Sequence, residues 1–192
     1  MNVKLFCIIL FFTLFFNLYE LKCETNKELS ANRQKAMDIL YQSRSLLFSG
    51  HFEKGLAKCE EALSLDSGLA LAHLTRGHFA FNQGQDEKAL KHLEYGLQLL
   101  NQEDQPINFR QDIPSIHVTK SEIKGDHMII LGAVYVSLAE EASKKKNVKM
   151  EQLYLEKAYK ILTGALKEAP TPPLRELAND LLKAFNKIPI SP

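Results

Sequence analysis

From about residue 29 onward, apolar residues recur at spacings of three and four with charged residues between them, and the strict alternation of a half-buried strand is missing. Helices are the expectation throughout. The spacing predicts a first helix over 29–49, with Ala36, Ile39, Ser43 and Leu46 on one face and Gly50 as its stop. A second follows over 52–65, closed by Asp66, Ser67 and Gly68. The next pair repeats this plan: a helix over 70–83, a turn at Gly84, and a partner capped by Asp86 that runs to about Leu100.

The repetition is visible residue by residue. Laying 50–65 over 84–99 gives seven identities in sixteen, namely Gly50, Glu53, Lys54, Leu56, Glu60, Leu63 and Leu65 with their counterparts 34 residues later. Chance would give about one. The segment 102–119, "QEDQPINFRQDIPSIHVT", has two prolines and no helical stripe, so a loop is expected over 104–120. A third pair then opens near Ser121, with "LGAVY" at 131–135 and "AYKILTGALKEAP" at 158–170. Gly77 and Ala89 are 12 residues apart, whereas Gly132 and Ala158 are 26 apart. The excess of 14 is close to four helical turns. Two extra turns on each helix keep both apolar faces in phase, which predicts an elongated hairpin turning near Asn147. After Pro172 and Pro173, "LRELANDLLKAFNKI" predicts an amphipathic helix that covers the open end.

A 34-residue helix-turn-helix with small residues where its helices cross resembles the tetratricopeptide repeat family. Gly77 and Ala89 hold the crossing positions, as do Ser43 and Gly55 one repeat earlier, and Gly96 and Ala62 are expected to open the way for the next unit. Departures occur at His73, Arg76 and Ala80, where the family favours tryptophan, leucine and tyrosine, and at Asn101, where it favours proline. The resemblance implies an all-α fold, a short α-solenoid of antiparallel hairpins: two over 24–103, a third over 121–171 and a cap over 172–192.

It also implies a concave face built by the first helix of each pair. Carried over residue by residue, that face comprises Leu40, Tyr41 and Arg44, then Leu74, Thr75, His78, Phe81 and Asn82, then Ile130, Ala133 and Ser137. A subgroup of the family grips C-terminal carboxylates through lysines, asparagines and an arginine, but here Arg44 alone is of that type. The apolar character suits an amphipathic or hydrophobic segment of a protein or peptide partner. The inserted loop, residues 24–32 or self-association would also cover such a face. Leu74, His78 and Phe81 fall at i, i+4 and i+7 and are expected to form one stripe.

The first residues change where the protein is expected to work. Lys4 is followed by a run from Leu5 to Leu14 that is apolar but for Thr13, extended by Phe15 and Phe16, and then by polar Asn17 and Glu20. A core of about 12 apolar residues is a secretory signal pattern, shorter than the roughly 20 that span a bilayer. Residues 1–23 are therefore read as a signal peptide, and an exported chain beginning near Glu24 is expected. A retained anchor or a lipid on Cys23 would be the alternatives. Without 1–23 the chain carries 22 basic and 22 acidic residues, which lacks the electrostatic footprint of a nucleic-acid binder. Membrane contact after cleavage is not expected either. Of three cysteines only Cys59 falls in the repeats, so no disulfide framework is available.

Chemistry is sparse. Six histidines show neither an HExxH pattern nor accompanying cysteine pairs, and neither a metal nor a cofactor is expected. Ser121 with Lys124 and Ser143 with Lys146 form serine-x-x-lysine pairs, without the companion motifs of acyl enzymes. The reading that follows is a non-enzymatic, exported interaction module, scaffold or chaperone-like adaptor, with an enzyme or accessory subunit of unrecognised type as the alternative.

Overall fold

The computed structural model describes residues 31–47, 49–102, 119–168 and 170–185, so the signal segment and nearly all of the inserted loop lie outside it. Every regular element among the described residues is a helix: α1 (31–47), α2 (Phe52–Leu65), α3 (Ala70–Asn82), α4 (Asp86–Gln102), α5 (Lys120–Lys144), α6 (Val148–Ala165) and α7 (Pro172–Phe185). The described helices fall into two compact units, α1 and α2 before Ser67, and α3 to α7 from Gly68 onward.

Three hairpin turns close in the same way. Gly50 and Gly84 take the left-handed conformation, with φ of +80° and +69°. At each turn this residue donates its N–H to the carbonyl three residues back, and the next residue donates to the carbonyl five residues before it. The pairs are Gly50 to Leu47 (3.0 Å) with His51 to Leu46 (2.8 Å), and Gly84 to Phe81 (2.9 Å) with Gln85 to Ala80 (2.8 Å). Such closures satisfy the helix's last carbonyls. The third turn uses the same bonds, Lys146 to Ser143 (2.8 Å) and Asn147 to Ala142 (2.9 Å), but the left-handed residue is Lys146 at φ 56°. Gln85 rather than Asp86 precedes α4, its carbonyl accepting from Ala89 N at 2.9 Å; Asp86 sits in the first turn, where the helix dipole favours a carboxylate.

The core of each hairpin is one five-residue pattern repeated. Leu40, Ser43, Gly55, Cys59 and Ala62 in the first recur as Leu74, Gly77, Ala89, Leu93 and Gly96, and again as Ile129, Gly132, Ala158, Leu162 and Ala165; all fifteen are buried. Small residues make this possible. A Cβ on Gly77 would come within 3.0 Å of Leu93 N, and one on Gly96 within 3.0 Å of Leu74 N. Each helix thus lays a leucine over the other's glycine. Leu162 covers Gly132 in the same manner, while Ser43 donates from its hydroxyl to the Gly55 carbonyl at 2.6 Å. Gly96 thus receives Leu74 of its own hairpin.

The 14-residue excess of the third hairpin divides evenly. From Gly77 to the left-handed Gly84 is seven residues, and from Gly132 to the left-handed Lys146 is fourteen; from the turn to Ala89 is five, and to Ala158 is twelve. Each helix has gained seven residues, about two turns. α5 starts on a capping box in which Thr119 Oγ accepts from Glu122 N (3.1 Å) and Glu122 Oε2 accepts from Thr119 N (2.6 Å). The Thr119 N–H, together with the Thr119 hydroxyl donating to the same Oε2 at 2.8 Å, holds the Glu122 carboxyl below its ordinary value.

α7 is anchored at its start. Asp126 of α5 accepts from Thr171 N (2.7 Å) and Thr171 Oγ (3.1 Å), and Glu168 accepts from Ser121 Oγ (2.7 Å) while pairing with Lys124 at 2.7 Å. Pro172 and Pro173 then occupy the first helical positions, where no intrahelical N–H bond is required. One serine-x-x-lysine pair, Ser121 with Lys124, thus serves this anchorage.

Candidate partner-binding face

The equivalences between hairpins place the expected face residues in columns. Tyr41, Thr75 and Ile130 correspond, as do Arg44, His78 and Ala133; Asn82 corresponds to Ser137, and Phe81 to Val136. α3 and α5 lie in one unit and touch. On α3, His78 and Asn82 are exposed and Phe81 is partly so; on α5, Ala133 and Ser137 are partly exposed. Thr75 and Ile130, each 7% exposed, are buried beneath this row. Tyr41 and Arg44 lie on α1 in the other unit, both half-buried. Burial pulls the Arg44 guanidinium below its ordinary value, an effect offset in part by Tyr41.

Leu40 and Leu74 do not belong to the face. Leu40 is 1% exposed and Leu74 fully buried, and Leu74 fills the space left by Gly96. The reason lies in the helical period: each stands three residues before its crossing residue, Ser43 or Gly77, and so shares the side that meets the partner helix. The stripe of Leu74, His78 and Phe81 accordingly runs from core to surface along α3. The signal was present in the sequence, because Ile129 stands three residues before Gly132 as well.

The polar side chains elsewhere in this unit tie helices together. His73 packs inside the α3/α4 hairpin, with its Nδ1 3.1 Å from Nδ1 of His92 and its ring edge-on to Tyr95 at 4.7 Å between centroids. A hydrogen bond there requires one protonated and one bare nitrogen. Tyr135, 4% exposed, donates from its hydroxyl to Glu94 Oε1 of α4, and Lys157 Nζ of α6 sits 5.3 Å from its ring centre. Burial first, and then Glu94, push the Tyr135 hydroxyl well above its ordinary value, which keeps it a hydrogen-bond donor. Glu94 and Tyr135 are 41 residues apart, and no local pattern announces their pairing. Among the described residues, no group of three or more His, Cys, Asp or Glu side chains is placed to hold a metal ion. The outward positions of α3 and α5 offer an imidazole, an amide, a hydroxyl, a methyl group and a phenyl ring.

No protein-family model matches this sequence, and no curated protein matches it. Among solved structures, the fold is similar to the N-terminal domain of stress-induced protein-1 (STI-1) from C. elegans, with a TM-score of 0.51 and 13% sequence identity. The match covers 79% of this chain and 97% of that domain. At that identity the likeness establishes the fold, an all-helical, tetratricopeptide-like array of hairpins. No described helix is long and apolar enough to cross a membrane.

Proposed function

We propose that this chain is a divergent member of the tetratricopeptide repeat family and an exported, non-enzymatic interaction module that binds an apolar or amphipathic segment of a protein partner. The observation that carries this reading is the accessible row His78, Phe81, Asn82, Ala133 and Ser137 on neighbouring first helices, which is separate from the leucine-over-glycine core. A face built this way can change its contacts without disturbing the hairpins. Its mixed apolar and neutral polar character supports a helical or hydrophobic ligand over a charged one. Export rests on the apolar core from Leu5 to Phe16 and places the mature chain near Glu24.

The test is a binding selection with the purified chain against a library of amphipathic helical peptides, repeated with Phe81→Asp. Selected peptides should lose about tenfold or more in affinity, the equivalent of one well-placed contact, while helicity and melting temperature hold. Equal affinity for both proteins would refute the face. N-terminal sequencing of native protein addresses export separately, and an intact Met1 would refute it.

A further inference from the structure

Measured from the helix crossing, the turn at Lys146 lies about 10 Å farther out than the turn at Gly84. What stands at that tip is basic. Residues 144–149 read "KKKNVK", four lysines and no carboxylate, and each of the six is exposed. Among the lysines is Val148, 69% exposed, more than any other large hydrophobic residue among those described. Hydrogen bonds fix the tip: Lys146 N donates to the Ser143 carbonyl at 2.8 Å, Asn147 N to the Ala142 carbonyl at 2.9 Å, and Met150 N to Asn147 Oδ1 at 3.2 Å. The carboxylates lie behind it. Glu141 pairs with Lys145 at 2.6 Å, and Glu87 of the neighbouring turn also attracts Lys145. Glu140 and Glu151, about one turn back, line a cavity beside Leu181 and Phe185 on the α7 side.

The electrostatics of the fold account for two of the four lysines. Lys144 and Lys145 end and cap α5, where the last carbonyls of a helix favour a cation. Lys146 and Lys149 have no such reason. Lys146 holds the left-handed position that Gly50 and Gly84 hold in the other turns, where a side chain meets its own backbone. Lys149 is the second residue of α6, where the unbonded N–H groups disfavour a cation. Side chains kept where they weaken the fold point to function. We propose that the tip of the elongated hairpin adsorbs end-on to an anionic lipid surface, through Lys144, Lys146 and Lys149 around Val148. Lysine is a point charge without the fork of arginine, which suits a diffuse layer of headgroups. Successive residues step about 100° around a helix end, so these lysines fan out and meet a plane together, whereas an extended acidic chain would meet one or two of them. Asp86 and Glu87 stand at the level of Glu141, about 8 Å short of Lys146 along the hairpin, which is about one Debye length at physiological salt. The contact is peripheral, requires no spanning helix, and reverses the expectation of no membrane contact, since balanced totals over the chain average this cluster away.

The probe is a phosphatidylcholine vesicle containing about one-third phosphatidylserine, co-sedimented with the full chain at physiological salt. Every variant keeps residues 1–23, so differences between variants report on the tip alone. Lys144→Gln, Lys146→Gln and Lys149→Gln together should lower partition onto these vesicles by at least about tenfold, from roughly fivefold per lysine less the effect of the nearby carboxylates. Val148→Ala should lower it by about twofold. The single variants Lys146→Gly and Lys149→Gln carry the signature: each should raise the melting temperature while lowering partition by about threefold to fivefold. A rise in stability with unchanged partition would show that these lysines are only a solvated helix end, and would overturn the proposal. Loss of helicity in the triple variant would not blur the result, because the two single variants bind more weakly while folding better. Partition by the native tip that ignores phosphatidylserine would overturn the proposal too, as would tighter binding to duplex DNA or polyglutamate than to vesicles, since the partner would then be a polyanion of another class.

Discussion

The second and third hairpins have the same kind of crossing and turn closure and differ in helix length and in the residue that takes the left-handed position. In α3/α4, Leu93 lies over Gly77 and the turn closes on a glycine seven residues later; in α5/α6, Leu162 lies over Gly132 and the turn closes on a lysine after fourteen. A repeat of this type is thus defined by a short segment around the closest approach of its helices. Helix length and turn chemistry can vary as long as that segment keeps its small and large residues in place.

The strongest way to break the comparison is to remove the covering leucine from each hairpin. Leu93→Ala and Leu162→Ala should each cost about 2–5 kcal/mol, read from urea unfolding midpoints, because both side chains are fully buried over a glycine. A near-neutral Leu162→Ala would mean that the long hairpin is held by its extra turns instead. Leu74→Ala should fall with these two, which distinguishes it from the face residues of its own helix.

Exchanging turn residues gives a smaller effect of opposite sign at the two sites. Lys146→Gly should stabilise the chain by about 1 kcal/mol, and Gly84→Lys should cost about 1–2 kcal/mol, since a side chain in the left-handed region meets its own backbone. Thermal melts of the two variants check this. The open space around Gly84, where an added Cβ would meet nothing within 4 Å, makes the backbone the sole source of the penalty.

The smallest expected effect is a pH dependence specific to the third hairpin, which alone of the two carries the anchorage of α7. Bonds from Lys124 and Ser121 hold the Glu168 carboxyl below its ordinary 4.5. Its contribution is therefore present above that value and is lost as pH falls through the lowered one. Asp126 has the opposite sign: burial raises its carboxyl, the bonds from Thr171 offset part of the rise, and the proximity of Glu122 adds to it. The native state then keeps the proton longer, and this term favours folding as pH falls. Glu168→Gln should flatten the acid limb of the melting curve below about pH 4.5, with a loss under about 1 kcal/mol at neutral pH for a part-exposed pair. An unchanged acid limb would show that the clamp contributes nothing measurable.

The array was legible in the sequence because its signals are local. Gly77, Ala89, Gly132 and Ala158 mark the crossings, and their spacings fix where the hairpins turn, including the one at Lys146 and Asn147. Lys146 itself carried no mark, since nothing in the residue type announces a left-handed conformation that the surrounding hydrogen bonds impose. The anchorage of α7 was also hidden: Glu168 and Thr171 find Ser121 and Asp126 across 47 and 45 residues, and long-range polar pairs have no period. On the candidate face, His78, Asn82 and Ser137 were left wholly or partly accessible by the packing of their helices. Leu40 and Leu74 were not, because a helix face defined by its neighbours i and i+4 overlaps the face defined by the crossing at i+3.

The even division of the fourteen extra residues has a consequence for how such proteins can change length. Seven residues turn a helix through about 700°, only 20° short of two full turns, whereas four overshoot one turn by about 40°. An insertion of seven in α5 alone would slide Lys146 past its position and leave one helix protruding, unmatched, by about 10 Å. Growth of a hairpin is therefore quantised and paired: the helices lengthen together, in steps near two turns, or the leucine no longer finds its glycine. Size variation in an array like this should come in discrete packets, and a comparison of hairpin lengths should show gaps where intermediate sizes are missing.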